Sequence, residues 1–149
     1  MQALILAAGM GRRLKELTRD SAKCMIKVNG ITLIERMLSQ LDGLNLREII
    51  IVVGYKAEEL ISFINDLDIQ TPITFVTNEI YYKTNNIYSL YLARDYLIKD
   101  DTLLLESDLI LGDGVLNRLI INTYPDLALV AKYESWMDGT VVTIDSQKN

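Results

Sequence analysis

Ile49-Ile50-Ile51-Val52-Val53 is a run of five β-branched residues with no polar interruption. Branching at Cβ stiffens χ1 and favours extended backbone. A strand that is apolar on both faces must be covered on both faces, which is the situation of an interior strand in a parallel sheet. Ala3 to Ala8 is a second run of this kind. After each comes a helical period: Leu33, Ile34, Met37, Leu38 and Leu41 after Ala3 to Ala8, then Leu60, Ile61 and Ile64 within 56–66 after Ile49 to Val53. These positions share one face of a 3.6-residue helix. Strands that alternate with helices over short connections make βαβ units. The pattern predicts an α/β, Rossmann-like, mostly parallel sheet with helices on both faces.

The remaining elements follow the same logic. Residues 9–24 read as a long loop with a helical turn near Lys15. Met25 to Val28 is a short extended piece closed by the turn dipeptide Asn29-Gly30. Thr32 or Asn29 caps the first helix, and Gly43 ends it. Pro72 introduces a strand over 73–77, a helix runs from about Asn86 to Leu97, and 102–106 is another buried strand. Residues 113–122 read as helical, 127–133 as a strand and 139–145 as another. The last reads as the start of an antiparallel hairpin at the C-terminus, with a turn at 146–149. A strand that enters a turn with no partner after it suggests that 1–149 is one catalytic domain short of its C-terminal part.

Composition narrows the chemistry. The 149 residues are 50% hydrophobic and 23% charged, enough for one domain with a sizeable core. Net charge is −5 and the pI is about 4.7, which argues against binding nucleic acid through counterion release. No apolar run reaches membrane-spanning length, and Met1-Gln2 leads straight into a strand with no signal-peptide pattern. A lone cysteine, Cys24, cannot form an intrachain disulfide. These features suggest a cytoplasmic protein, with Cys24 a small buried hydrophobe. The chain has no histidine, which removes Ser-His and Cys-His catalysis and His-ligated zinc.

In open α/β sheets ligands bind beyond the carboxyl ends of the strands. Ala8-Gly9-Met10-Gly11-Arg12-Arg13 follows the first strand, Gly54-Tyr55 the second, Asn78-Glu79 the third and Ser107-Asp108 the fourth. All four predict one edge. Glycines let backbone N–H groups approach an anion, and Arg12, Arg13 and Lys23 supply countercharge. Asp108, at a strand end, is placed to hold Mg²⁺, which binds through one or two carboxylates plus phosphate oxygens. Glu106 is a second carboxylate two residues before it.

Leu6-Ala7-Ala8-Gly9-Met10-Gly11-Arg12-Arg13-Leu14, with Thr18, Lys23, Val28, Gly30 and Leu33-Ile34, resembles the signature of the nucleotidyltransferases that activate sugar phosphates and phosphoalcohols. Glu16 and Ala22 stand where many members have proline. The resemblance implies attack of an acceptor phosphate oxygen on the α-phosphorus of a nucleoside triphosphate, with loss of pyrophosphate. Gly9 to Arg13 would cradle the β and γ phosphates, and Arg13 and Lys23 would be the catalytic cations. Asp108 would be a metal ligand, the family's second acidic ligand having no evident match here.

Thr84-Asn85-Asn86 followed by Ile87-Tyr88-Ser89-Leu90 resembles the phosphocholine and 2-aminoethylphosphonate cytidylyltransferases more than the sugar enzymes. On that likeness Thr84, Asn85, Asn86 and Ser89, with Ala7, Ala8 and Gly9 backbone groups, would hold the nucleotide. An Asn-capped helix with a tyrosine packing face explains the same residues. Tyr133 and Trp136 would stack on an ammonium group and Asp138 or Glu134 would pair with it, and a turn with Trp136 folded back on the sheet explains the same residues. The expected partners are therefore CTP and an amine-bearing phosphate or phosphonate. A sugar-1-phosphate nucleotidyltransferase and a catalytically incomplete nucleotide-binding module are the alternatives.

Overall fold

A computed structural model describes residues 1–11, 14, 16, 18–137 and 141–143. Four parallel strands form its centre: β1 (Gln2–Ala7), β4 (Ile49–Val53), β5 (Ile73–Thr77) and β6 (Thr102–Glu106). Their order is β5-β4-β1-β6, so the first strand of the chain is interior. In register, Ala7 lies beside Val53, Val53 beside Thr77, and Leu6 beside Glu106. The four carboxyl ends are therefore level along one edge.

Every residue of β1 and β4 is buried. Alternation along the strands divides them between two cores. On one face Ala3, Ile5, Ala7, Ile49, Ile51 and Val53 meet helices α1 (Leu33–Asp42), α2 (Ala57–Asn65) and α5 (Val115–Ile120). On the other, Leu4, Leu6, Ile50 and Val52 meet α3 (Asn86–Leu92) and α4 (Arg94–Leu97) through Leu90, Ala93, Tyr96 and Leu97. Two covered faces are what the uninterrupted apolar runs require.

Helix α1 starts at Thr32 with a capping box. The Thr32 hydroxyl accepts from the Glu35 N–H at 3.1 Å, and the Glu35 carboxylate accepts from the Thr32 N–H at 3.4 Å. Just before it, β2 (Lys27–Val28) and β3 (Ile31–Thr32) form a small antiparallel pair. Asn29 and Gly30 join them with φ of 54° and 83°, as a two-residue hairpin turn requires. At the far end of α1, the Asp42 carboxylate accepts from the N–H groups of Gln70 and Thr71 and from the Thr71 hydroxyl, tying the helix to the entry of β5.

Two sequence expectations are corrected. The helix expected over 86–97 breaks at Ala93 (φ −93°, ψ 6°) into α3 and α4. Ala93 is fully buried on the sheet, and the break turns Tyr96 and Leu97 onto the face that Leu90 already covers. The strand expected over 127–133 does not form. Leu127, Leu129, Val130 and Tyr133 are all exposed, so neither face is covered, and among the described residues no strand pairs with the segment. Among the described residues the antiparallel pair is the one at 27–32. Val141 to Thr143 are in no strand, and the rest of 139–145, with the turn at 146–149, lies outside the described residues. Near the loop, Leu14, Glu16 and Thr18 are 3-10 in conformation, and Lys15 is outside the described set.

Candidate active site

The carboxyl edge opens into a cleft of about 730 Å³. Its lining comes from the loop (Gly9, Gly11, Leu14 and Lys23), from Leu6, from Asn86, and from Glu106, Ser107 and Asp108 at the end of β6. The glycines differ in why they are there. Gly11 has φ +61°, and a Cβ on it would lie 2.9 Å from the Thr18 methyl and 3.2 Å from Lys23 Cβ. The Thr18 hydroxyl donates to the Gly11 carbonyl at 3.0 Å, closing the loop on itself. A Cβ on Gly9 would meet nothing within 4 Å, so that position keeps the cleft open and does not relieve a clash.

Lys23 opens a short 3-10 turn, Lys23–Met25, whose next residue, Cys24, is buried beneath the site. Burial pushes the Cys24 thiol up from an ordinary 9.0 to about 12, and the Asp108 charge adds to the rise. The thiol is thus neutral, as expected of a small hydrophobe. The Lys23 ammonium pairs with the Asp108 carboxylate across the cleft, joining positions 85 apart. Glu106 accepts from the Asn86 side-chain amide at 2.8 Å. Burial raises the Glu106 pKa and the neighbouring Asp108 charge adds to that, against the Asn86 hydrogen bond and the Lys23 charge.

The turn between β5 and α3 is organised by Asn78, which is 1% exposed. Its amide donates to the hydroxyls of Thr84 (3.0 Å) and Ser89 (3.1 Å), and its carbonyl accepts from the Ile80 N–H. Thr84 and Ser89 are therefore held in a structural hub, and Asn86 is the member of that segment that lines the cleft. Asn85 occupies the N-cap position of α3 without a side-chain capping bond. Ala7 and Ala8 are buried behind the loop, and the Ala8 carbonyl accepts from the Tyr55 N–H at 3.1 Å.

Tyr133 and Trp136 do not line this cleft. They are exposed in the 127–137 segment, with the Trp136 indole N–H donating to Glu134 at 2.8 Å. Arg12, Arg13 and Asp138 lie outside the described residues. Asn78 escaped the sequence reading as a site-shaping residue. Its signal was a polar residue at the end of a buried strand, followed by hydroxyls six and eleven positions on.

The sequence matches the MobA-like NTP transferase domain over residues 3–142. The chain belongs to that family. Among relatives of this NTP transferase domain, a CTP:phosphoglutamine cytidylyltransferase from Campylobacter jejuni is 33% identical, over 91% of this chain and 54% of its own length. A choline-phosphate cytidylyltransferase from Haemophilus influenzae is 36% identical, over 97% and 62%. A 2-aminoethylphosphonate cytidylyltransferase from Lancefieldella rimae is 37% identical, over 74% and 44%. The chain thus spans about half the length of these relatives. A solved structure of a CTP:phosphocholine cytidylyltransferase from Streptococcus pneumoniae superposes with a TM-score of 0.62 at 34% identity, over 72% of this chain and 44% of that one. The parallel α/β fold is that of the nucleotidyltransferases. Among the described residues, no helix is long and apolar enough to cross a membrane.

Proposed function

We propose that the protein is a cytidylyltransferase that moves CMP from CTP to an amine-bearing phosphate or phosphonate and releases pyrophosphate. The observation that carries this is the cleft itself, which brings the loop glycines and the Lys23–Asp108 pair together at the carboxyl ends of β1 and β6. An acceptor phosphate oxygen attacks the α-phosphorus, and the bond to the leaving pyrophosphate oxygen breaks. This chemistry asks little of side chains beyond alignment and charge neutralisation. Gly9 and Gly11 leave room for the triphosphate along the loop, and Arg12 and Arg13 follow them in sequence. Lys23 neutralises charge at the α-phosphate and on the incoming phosphate. Asn86 stands where a base or ribose edge can meet it.

Among the described residues no group of three or more acidic, cysteine or histidine side chains is poised for a metal. Mg²⁺ keeps waters and takes phosphate oxygens beside one or two carboxylates, so substrate would complete its site. Asp108, a hard oxygen donor turned into the cleft, would hold it, with Glu106 nearby. The ion would supply charge neutralisation on the phosphates when bound.

The relatives' acceptors are phosphoglutamine, choline phosphate and 2-aminoethylphosphonate by name, and this favours an acceptor that carries nitrogen. The test is pyrophosphate release, with each nucleoside triphosphate crossed against those three acceptors and glucose 1-phosphate. Turnover with CTP and one nitrogenous acceptor is expected. Turnover only with a hexose phosphate and UTP or dTTP would replace this reading with the sugar one. CTP binding without pyrophosphate release would replace it with a binding module.

A further inference from the structure

Tyr55 touches the glycine loop at both of its ends. Its backbone N–H donates to the Ala8 carbonyl at 3.1 Å, where the loop leaves β1. Its hydroxyl donates to the Arg19 carbonyl at 2.6 Å, where the loop turns back toward Lys23. The ring is steadied by Tyr81, edge to face with centroids 6.1 Å apart. Gly54 makes the first contact possible. A Cβ there would come within 2.9 Å of Ala8 Cβ and its carbonyl oxygen, and 2.8 Å from Tyr81 Cβ. Only a glycine lets the end of β4 lie this close to the end of β1.

We propose that Tyr55 is a positioning residue that spans the glycine loop and presets it for the triphosphate, an inference that rests on the nucleotide-binding reading above. A loop that must present N–H groups to an anion loses affinity for every conformation in which it does not present them. Ordering it before binding removes that cost from the binding step. The tether also engages the Arg19 carbonyl, so that this partial negative charge is directed at Tyr55 and not at a phosphate. Tyr55 lines no part of the cleft, so its effect passes through the loop.

The decisive variant is Tyr55→Phe, which removes one hydroxyl and keeps the ring against Tyr81. Loss of one hydrogen bond predicts faster amide exchange over 9–22 and faster tryptic cleavage after Arg19, each by about fivefold, with the melting temperature little changed. In steady-state assays the KM for CTP is expected to rise about fivefold with kcat held within about twofold. A bond that only stabilises the fold would shift melting and leave that split untouched. Wild-type exchange and cleavage rates in Tyr55→Phe would overturn the tether, whether or not the protein turns over CTP. A loosened loop with unchanged KM would overturn its role in presetting the site. Failure of the wild-type protein to bind any triphosphate would count against the nucleotidyltransferase reading, and the exchange measurement would still decide the tether.

Discussion

Lys23 and Asp108 face each other as an ion pair although each side chain is about a third exposed, at 30% and 32%. Pairs so accessible to water add little to stability, because solvent screens them and two side chains must be held still. What the pair does is bring a cation and a carboxylate together at the edge where phosphates are expected. Lys23→Ala should therefore melt within about 1 kcal/mol of wild type. Its pyrophosphate release should fall about 10²–10³-fold, as when a charge-stabilising donor is removed from a transition state. Turnover near wild type would remove Lys23 from the chemistry.

The two loop glycines should fail differently. Gly11→Ala forces a side chain into the left-handed region and against Thr18, at a cost of about 1–2 kcal/mol. Gly9→Ala meets nothing, so its melting curve should match wild type while its methyl group intrudes on the cleft and raises the KM for the triphosphate. Chemical denaturation and steady-state kinetics on the two variants separate these effects.

Cys24 makes a prediction at high pH. Its folded pKa of about 12 lies above the ordinary 9.0, so the unfolded chain releases this proton first. The contribution is complete below pH 9 and is lost as pH rises toward 12. Native protein at pH 8 should react with iodoacetamide far more slowly than protein unfolded in guanidinium, with rates read by mass spectrometry. Equal rates would mean that the thiol is accessible.

Asp42 makes the opposite one. Hydrogen bonds from the Thr71 hydroxyl, the Thr71 N–H and the Gln70 N–H lower its pKa. Its contribution is present above the unfolded pKa and lost as pH falls through the folded one. Asp42→Ala should cost about 1 kcal/mol at pH 7, because the part-buried Thr71 N–H loses its partner while water can reach the exposed Gln70 N–H. The gap to wild type should narrow in urea titrations near pH 3.

The sheet was legible wherever local chemistry decides the outcome. Ile49 to Val53 can be nothing but a doubly covered strand, and Thr32 with Glu35 three residues on is a capping box in the sequence itself. Asn29-Gly30 marked its turn, although strands of two residues are too short to show a period. The break at Ala93 carries no glycine or proline and follows from packing on the sheet. The segment 127–133 shows the converse, since alternation is local and a strand also needs a neighbour. Gly11, Lys23 and Asp108 could each be picked out singly. Their convergence depends on β1 and β6 pairing in register, and the Asn78 hub depends on how the turn between β5 and α3 folds back to bring the Thr84 and Ser89 hydroxyls to one amide.

The interior place of β1 also sets a schedule for synthesis. Gln2–Ala7 is made before both of its neighbours, β4 at 49–53 and β6 at 102–106. At about 5–20 residues per second, some hundred residues of elongation take roughly 5–20 s. For that time a strand that is buried along its whole length has an unfilled side. Newly made chains should therefore rely on chaperone shielding until β6 emerges, and mutations that weaken β6 should reduce soluble yield more than they reduce the stability of protein already folded.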